Sequence, residues 1–211
     1  GVLTGALYGS RWKSELSVFN GPQPDEDRAD FDFRAPDSFS GRVWFLPSSR
    51  LALQFSVGRL AEAESDGHDV TRQTAAATYH NPIGAKGLWA TTIAWGRNDE
   101  LGMATNAFLA ETNLTLRDRD SLFDRSEPAG KTGHDLDIAD SDELFTVAKL
   151  QGGYTRYATG WSGLKAGIGG SLSAAIVPSE LDGANRKPWP ATQPRSIRLA
   201  TCCSFSTPSA T

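Results

Sequence analysis

The sequence lacks the features that define several common protein classes. It has only two cysteines, Cys202 and Cys203, and neighbours in sequence rarely form an ordinary disulfide, so we expect neither a disulfide framework nor a cysteine metal site. The longest uncharged stretch near the C-terminus, 166–179, is rich in Gly and Ser. Because a spanning helix needs about 18–20 apolar residues, this stretch excludes a helical membrane protein.

An excess of basic charge is also missing. The 211 residues include 21 Lys and Arg against 25 Asp and Glu, which gives a formal net charge of -4. This balance argues against a nucleic-acid partner, because contacts to phosphates need a surplus of cations. The length suits one domain with a sizeable core. Composition does not separate a soluble protein from a transmembrane β-barrel, whose polar interior and apolar exterior average out.

What the sequence does contain is alternation of apolar and polar residues, which predicts strands. Ten are predicted, at about 2–9, 11–20, 37–46, 51–60, 70–80, 88–97, 106–117, 120–127, 144–156 and 163–177. Most have about ten residues, the length of a tilted strand that crosses a bilayer, against about five or six in soluble sheets. A soluble β-sandwich gives the same alternation, so the pattern alone leaves both folds open.

The predicted connections alternate in length along the chain. Short ones fall near 10–11, 46–50, 81–87, 117–120 and 157–162, and longer, more acidic ones at 21–36, 61–69, 98–105 and 128–143. An up-and-down barrel of an outer membrane has tight turns on one side and long loops on the other. The alternation therefore favours such a barrel, although acidic loops also keep a soluble protein in solution.

Aromatic residues near strand ends on the apolar face fit the same interpretation. Five are predicted to be membrane-interface aromatics: Trp12, Tyr79, Trp89, Trp95 and Tyr154. Aromatic girdles lie at the two membrane–water interfaces of such barrels.

The order of strand and turn signatures resembles a known family. The segments that carry the resemblance are 15–33, 37–60, 71–98, 143–156 and 164–181, the last reading LKAGIGGSLSAAIVPSEL. They resemble porin-like β-barrel proteins of the Gram-negative outer membrane, most of them uncharacterised, over roughly residues 1–182. The resemblance implies an all-β, antiparallel up-and-down transmembrane β-barrel with about ten strands visible, part of a larger barrel. It also implies the cell outer membrane as location, with lipid, lipopolysaccharide and small polar solutes as partners.

Two departures from that family set the expected domain division. Its members carry more chain before the region that matches Gly1, and they end in a final strand that closes on an aromatic residue. Here Pro188, Pro190 and Pro194 interrupt strand formation, and the chain ends without a terminal aromatic. We therefore expect a partial barrel domain at 1–183 and an irregular or altered tail at 184–211.

The polar strand positions provide candidate functional residues. Those predicted to face the lumen are Lys13, Glu15, Arg42, Arg72, Glu111, Arg125, Lys149 and Lys165. Basic side chains around a water-filled channel would favour anions. About eight strands already fill with side chains, so ten alone would leave little lumen. A passive channel for small polar solutes is the leading hypothesis, and a filled, purely structural barrel stays open.

Catalytic and metal-binding signatures are missing. None of the histidines, His68, His80 and His134, accompanies a recognisable nucleophile motif, so no catalytic residue, cofactor or enzymatic activity is predicted. The acidic runs 24–32 and 134–143 do not have the spacing of a calcium loop, so no metal site is predicted either. Two alternatives to the channel remain. One is a soluble periplasmic β-sandwich or calycin-like ligand-binding protein, and the other is an outer-membrane lipid hydrolase.

Overall fold

The protein is all-β in its computed structural model, which describes residues 1–21, 35–62, 68–133, 136, 143–158, 165–178, 198–200 and 205–206. Ten long strands follow one another: β1 (Val2–Tyr8), β2 (Trp12–Phe19), β3 (Ser38–Ser48), β4 (Leu51–Leu60), β5 (Val70–Pro82), β6 (Leu88–Glu100), β7 (Met103–Leu116), β8 (Asp120–Thr132), β9 (Leu144–Tyr157) and β10 (Lys165–Ile176). Two short strands come last, β11 (Arg198–Ala200) and β12 (Phe205–Ser206). Within the described ranges, no helix is long and apolar enough to cross a membrane.

Each of the ten long strands hydrogen-bonds to its neighbour in sequence, which confirms the predicted antiparallel up-and-down order. The sheet runs β1-β2-β3-β4-β5-β6-β7-β8-β9-β10-β11, and β12 pairs with β10. In the described part of the chain this path is open, with β1 at one edge and β11 at the other. The predicted division at residue 183 falls outside the described residues.

Two compact units make up the chain. The first unit comprises Gly1–Thr78 and Ala94–Ala107, and the second comprises Tyr79–Ile93 and Phe108–Thr211.

The strand positions match the period-two pattern closely, and the main difference lies in β8. The prediction ended this strand near residue 127, because Pro128 and Gly130 are typical of loops. The strand instead continues to Thr132, since β9 pairs with it over its whole length, with Pro128 opposite Ala148. Pairing with β9 therefore extends β8 past Pro128.

The predicted long connection at 98–105 is wrong. β6 extends to Glu100 and β7 begins at Met103, so only Leu101 and Gly102 remain between them. Both have positive φ, 50° and 81°, as two-residue hairpin turns require. The polar residues before the turn were interpreted as a loop, whereas they continue the strand. The strict alternation of short and long connections is thus interrupted at this hairpin.

Few side chains are buried among the described residues. Among the described residues, the buried hydrophobic side chain is Val70, at 2% exposure, and the buried polar one is Ser38, also at 2%. Ser38 Oγ accepts a hydrogen bond from the Ala61 amide at 2.9 Å and donates one to Asp37 Oδ1 at 2.9 Å. These contacts join the start of β3 to the end of β4.

Candidate functional site

Strand pairing in the first unit aligns polar side chains in rows across β1 to β4. The rows are Thr4–Ser17–Ser40–Gly58, Ala6–Glu15–Arg42–Ser56 and Tyr8–Lys13–Trp44–Gln54. We call the side of the sheet that carries these rows the polar face of the first unit. The opposite side, with Leu16, Phe39 and Phe55, is its apolar face. The faces follow from strand geometry, since successive side chains point to opposite sides.

The polar face of the first unit contains a recess of about 440 Å³, within the size range of small-molecule sites. Its charged lining residues are Glu15, Arg42 and Arg72. Hydroxyl groups surround them, from Thr4, Ser17, Ser40, Ser56 and Thr74. The absence of a side chain at Gly58 keeps this space open, because a Cβ there would lie 3.0 Å from Ser40 Cβ.

The one carboxylate of the recess has partners on both oxygens. Lys13 Nζ lies 2.8 Å from Glu15 Oε1, and Trp44 Nε1 donates a hydrogen bond to Oε2 at 3.3 Å. Arg42 stands opposite Glu15 on one side and Ser56 on the other. Because Lys13 already balances Glu15, Arg42 and Arg72 contribute the net positive charge of the recess.

Neighbouring polar groups fix the recess walls. Thr4 Oγ1 and Ser17 Oγ are 2.8 Å apart, and Ser56 Oγ and Thr74 Oγ1 are 2.6 Å apart. Arg72 Nε donates a hydrogen bond to Asn98 Oδ1 at 2.9 Å, and the two terminal nitrogens of Arg72 take no part in that bond. The walls thus combine ordered hydroxyls with guanidinium donors.

The second unit has its own polar face, defined by Glu111, Arg125 and Gln151, which line a recess of about 330 Å³. Here the charges are paired. Arg125 lies 2.5 Å from Glu127 Oε1 and 3.5 Å from Glu111 Oε2, and Lys149 stands opposite Glu127 in the ladder. Asp124 also lines this recess, so carboxylates outnumber cationic groups there and it offers no excess positive charge to a solute.

Lys165 differs from the other predicted lumen residues because it lies at the end of its strand. Its Nζ donates a hydrogen bond to Asp118 Oδ1 at 2.7 Å, in the turn between β7 and β8, and stands 5.2 Å from the Tyr157 ring centroid. That hydrogen bond lowers the pKa of Asp118 below its ordinary value. Lys165 thus fastens a turn to β10.

The apolar faces are the more exposed ones. In the first unit Leu16 is 71% exposed, Phe39 55% and Phe55 46%, whereas Ser40, Gln54 and Ser56 on the polar face are only half-exposed or less. The second unit repeats the pattern, with Ile93, Phe108, Ile168 and Leu172 exposed.

Four of the five predicted interface aromatics lie near the short-connection end of their own strands: Trp12, Tyr79, Trp89 and Tyr154. Tyr79 and Trp89 meet edge-to-face with ring centroids 5.9 Å apart. Their polar atoms have partners, since Trp89 Nε1 donates to Thr112 Oγ1 at 2.8 Å and the Tyr154 hydroxyl donates to Asp120 Oδ1 at 2.5 Å.

Trp95 is placed differently from the prediction. It was expected near a strand end, but β6 continues to Glu100, so Trp95 lies in the middle of the strand. Its Nε1 donates to Asn106 Oδ1 at 3.1 Å on the neighbouring strand β7.

Sequence reasoning missed two ion pairs near strand ends in the first unit. Arg59 binds Asp69, and Arg97 Nη2 lies 3.2 Å from Asp99 Oδ2. The Arg59 hydrogen bond and the Glu62 amide together lower the pKa of Asp69. Asp69 and Asp99 were assigned to loops, so their partners on strands were not considered. The signal in the sequence was a basic residue, Arg59 or Arg97, just before each segment predicted as an acidic connection.

Some predictions fall on residues without a structural description. The acidic run 24–32 and His134 lie outside the described residues, as does most of 134–143. In the described part of the chain, no group of three or more His, Cys, Asp or Glu side chains is placed to hold a metal ion.

Comparison with known proteins identifies no relative. Searches against protein families, curated proteins and solved structures find no match to this chain.

Proposed function

We propose that this chain forms an outer-membrane β-barrel that lets small polar solutes cross passively, with a weak preference for anions. The observation that carries the proposal is the exposure of the apolar face: Leu16, Phe39 and Phe55 are exposed, whereas Ser40, Gln54 and Ser56 on the polar face are less so. In a lipid-embedded barrel the exterior is apolar and the interior polar.

Contact with lipid explains why the apolar faces can be left open. Keeping apolar surface in water costs about 25 cal/mol per Å², and soluble monomers rarely expose contiguous patches above a few hundred Å². Here exposed apolar residues recur along neighbouring strands, with Phe39, Val43 and Phe45 on β3 and Leu53, Phe55 and Val57 on β4. A soluble sandwich or calycin-like binder would instead bury this side as a dry core, so the burial pattern argues against that alternative.

The proposal requires the sheet to close. Unpaired backbone groups at a sheet edge cost several kcal/mol each in lipid, and β1 pairs with β2 alone among the described strands. In the membrane, β1 must therefore pair with another strand, from this chain, from further chain or from another copy.

Passage of polar solutes follows from the composition of the polar faces. Both recesses carry hydroxyl and charged groups, and in the first the two guanidinium groups of Arg42 and Arg72 outnumber the one carboxylate, Glu15. Cationic side chains along a pore lower the electrostatic cost of admitting an anion. The paired charges of the second unit keep the expected preference weak.

The test is refolding in detergent micelles and in plain buffer, followed by planar-bilayer conductance. We expect a β-rich form only with detergent, which migrates faster on a gel before heating than after, and single-channel steps in the bilayer. The reversal potential in a salt gradient should indicate modest anion selectivity. A monodisperse β-rich protein in plain buffer, or a folded detergent form without conductance, would overturn the proposal.

A further inference from the structure

The two recesses differ in their net charge, so solutes of different charge fit them. In the second unit Arg125 is held between Glu111 and Glu127. In the first unit Glu15 forms an ion pair with Lys13 and accepts a hydrogen bond from Trp44, and it is the one carboxylate lining the recess beside the two guanidinium groups of Arg42 and Arg72. An anion entering the first recess meets an excess of positive charge, whereas one entering the second meets an excess of carboxylates.

We propose that the recess of the first unit is a binding station for a small hydroxylated carboxylate, of the sugar-acid type. This inference rests on the proposed function and names the solute class of that passage. A carboxylate matches the planar donor fork of a guanidinium group, and charge-assisted bonds of this kind are about twice as strong as neutral ones.

The hydroxyls of the recess select for a hydroxylated anion over a plain one. Ser40 and Ser17 stand in the row next to Arg42, and Ser56 stands opposite it. Serine and threonine hydroxyls both donate and accept, so they can exchange hydrogen bonds with each hydroxyl of a polyol. Hydroxyl groups therefore lie on two sides of the arginines, and this arrangement matches a molecule with a charged end and a hydroxylated chain.

The volume and openness of the site suit transient binding. About 440 Å³ accommodates a small organic molecule, and Arg42 and Arg72 are themselves exposed rather than enclosed. Exposed ion pairs contribute only about 0–1 kcal/mol each, because water and salt screen them. Weak binding is what passage requires, since a solute held tightly would not leave.

The test uses the full chain, refolded in detergent at low ionic strength, with gluconate as the probe. Glucose provides the hydroxyls without the charge, and acetate provides the charge without the hydroxyls. We expect calorimetry to give gluconate the highest affinity of the three. The double variant Arg42→Gln/Arg72→Gln should bind it about tenfold or more weakly. The control, Arg97→Gln, removes one positive charge from a strand of the same unit outside the recess lining and should leave the affinity unchanged.

A second variant pair guards against misfolding. Arg42→Lys/Arg72→Lys keeps the charge but loses the bidentate geometry, so it should fall between wild type and the glutamine variant. Circular dichroism and gel mobility check that every variant is folded.

Planar bilayers separate the two proposals. Conductance that gluconate blocks in wild type but not in the glutamine variant supports both. Conductance with equal gluconate affinity in wild type and variant overturns the binding station and leaves the channel standing. Arginine-dependent gluconate binding without conductance overturns the channel and leaves the site.

Discussion

At the scale of single residues, the two sides of one strand favour side chains of opposite polarity. On β4, Phe55 lies on the apolar face and Gln54 beside it on the polar face, where its Nε2 donates to Thr74 Oγ1 at 3.2 Å. In the proposed barrel, a charge at position 55 would face lipid and a charge at position 54 would face the water-filled interior. Neighbouring residues therefore provide a matched pair of sites.

Phe55→Arg should destabilise the lipid-embedded form by about 2–4 kcal/mol, the cost of a cation near the bilayer midplane. Gln54→Arg should change stability by about 0.5 kcal/mol or less, as most surface substitutions do. Urea unfolding in lipid vesicles measures both. Equal costs at the two positions would contradict the assignment of faces.

Asp118 gives the molecule a pH-dependent contact. Its pKa is lowered by the hydrogen bond from Lys165, so this bond stabilises the folded state above the ordinary aspartate pKa of about 3.9. That contribution is lost as the pH falls through the lower, folded-state pKa. Asp118 has a φ of 56°, a conformation that asparagine also tolerates.

We therefore expect Asp118→Asn to be less stable than wild type near neutral pH, and the difference to disappear once the pH is low enough to protonate Asp118 in the folded state, below its ordinary pKa. Denaturant unfolding of both proteins across this pH range provides the measurement. A difference that persisted in acid would show that the effect of the substitution is not the ion pair.

At the scale of strands and turns, the sequence predicts much of the architecture because the chemistry is local. Leu51, Leu53, Phe55 and Val57 alternate with Ala52, Gln54, Ser56 and Gly58, and β4 lies where this alternation predicts a strand. The errors occur where a partner strand decides the outcome. Pro128 and the residues around Leu101 are typical of loops by composition. Pairing with neighbouring strands nevertheless extends β8 past Pro128, and it extends β6 and β7 up to the two-residue turn at Leu101 and Gly102.

The candidate site was predictable only in part. Period two places Arg42 and Glu15 on one face, but their alignment depends on the register between β2 and β3, which local patterning does not specify. The same holds for Arg72, whose partner Asn98 lies 26 residues away in sequence.

The turn between β6 and β7 carries local strain. Leu101 has a φ of 50°, which costs a residue with a side chain about 1–2 kcal/mol relative to the right-handed region. Leu101→Asn should therefore stabilise the protein by up to about 1 kcal/mol, since asparagine is tolerated there. Gly102→Ala, at a φ of 81°, should destabilise it by about 1 kcal/mol. Opposite signs in denaturant unfolding are the expected outcome; two neutral substitutions would refute this turn geometry.

Glycines on β10 differ according to the side they face. A Cβ at Gly169 would lie 2.6 Å from the Tyr154 carbonyl oxygen, whereas a Cβ at Gly170 would meet nothing within 4 Å. Gly169→Ala should therefore cost about 1–3 kcal/mol, the usual cost of overpacking, while Gly170→Ala should be neutral or stabilising. Thermal unfolding in detergent compares the two. A neutral Gly169→Ala would contradict the close approach of β9 and β10.

At the scale of the whole molecule, the question is whether the sheet closes. All seven residues of β1 are exposed, and β2 is its one described partner, whereas β3 has partners on both sides. An uncovered edge invites pairing with another strand. Closure in the membrane would give β1 a second neighbour.

Hydrogen–deuterium exchange in the detergent-folded state tests closure directly. If the proposed barrel forms, the β1 amides that point away from β2 should exchange as slowly as those of β3. If the sheet stays open, they should exchange close to the unfolded rate, because no acceptor protects them. Protection in β3 serves as the internal reference for a folded sheet.

The neighbour-to-neighbour order of the strands also bears on how such a chain can diverge over generations. Removing or duplicating two consecutive strands, such as β3 and β4, leaves the flanking strands β2 and β5 antiparallel to each other. No remaining strand must reverse direction, and each keeps its apolar side on the same surface. The number of strands in the sheet can therefore change by one hairpin at a time through gene duplication or deletion.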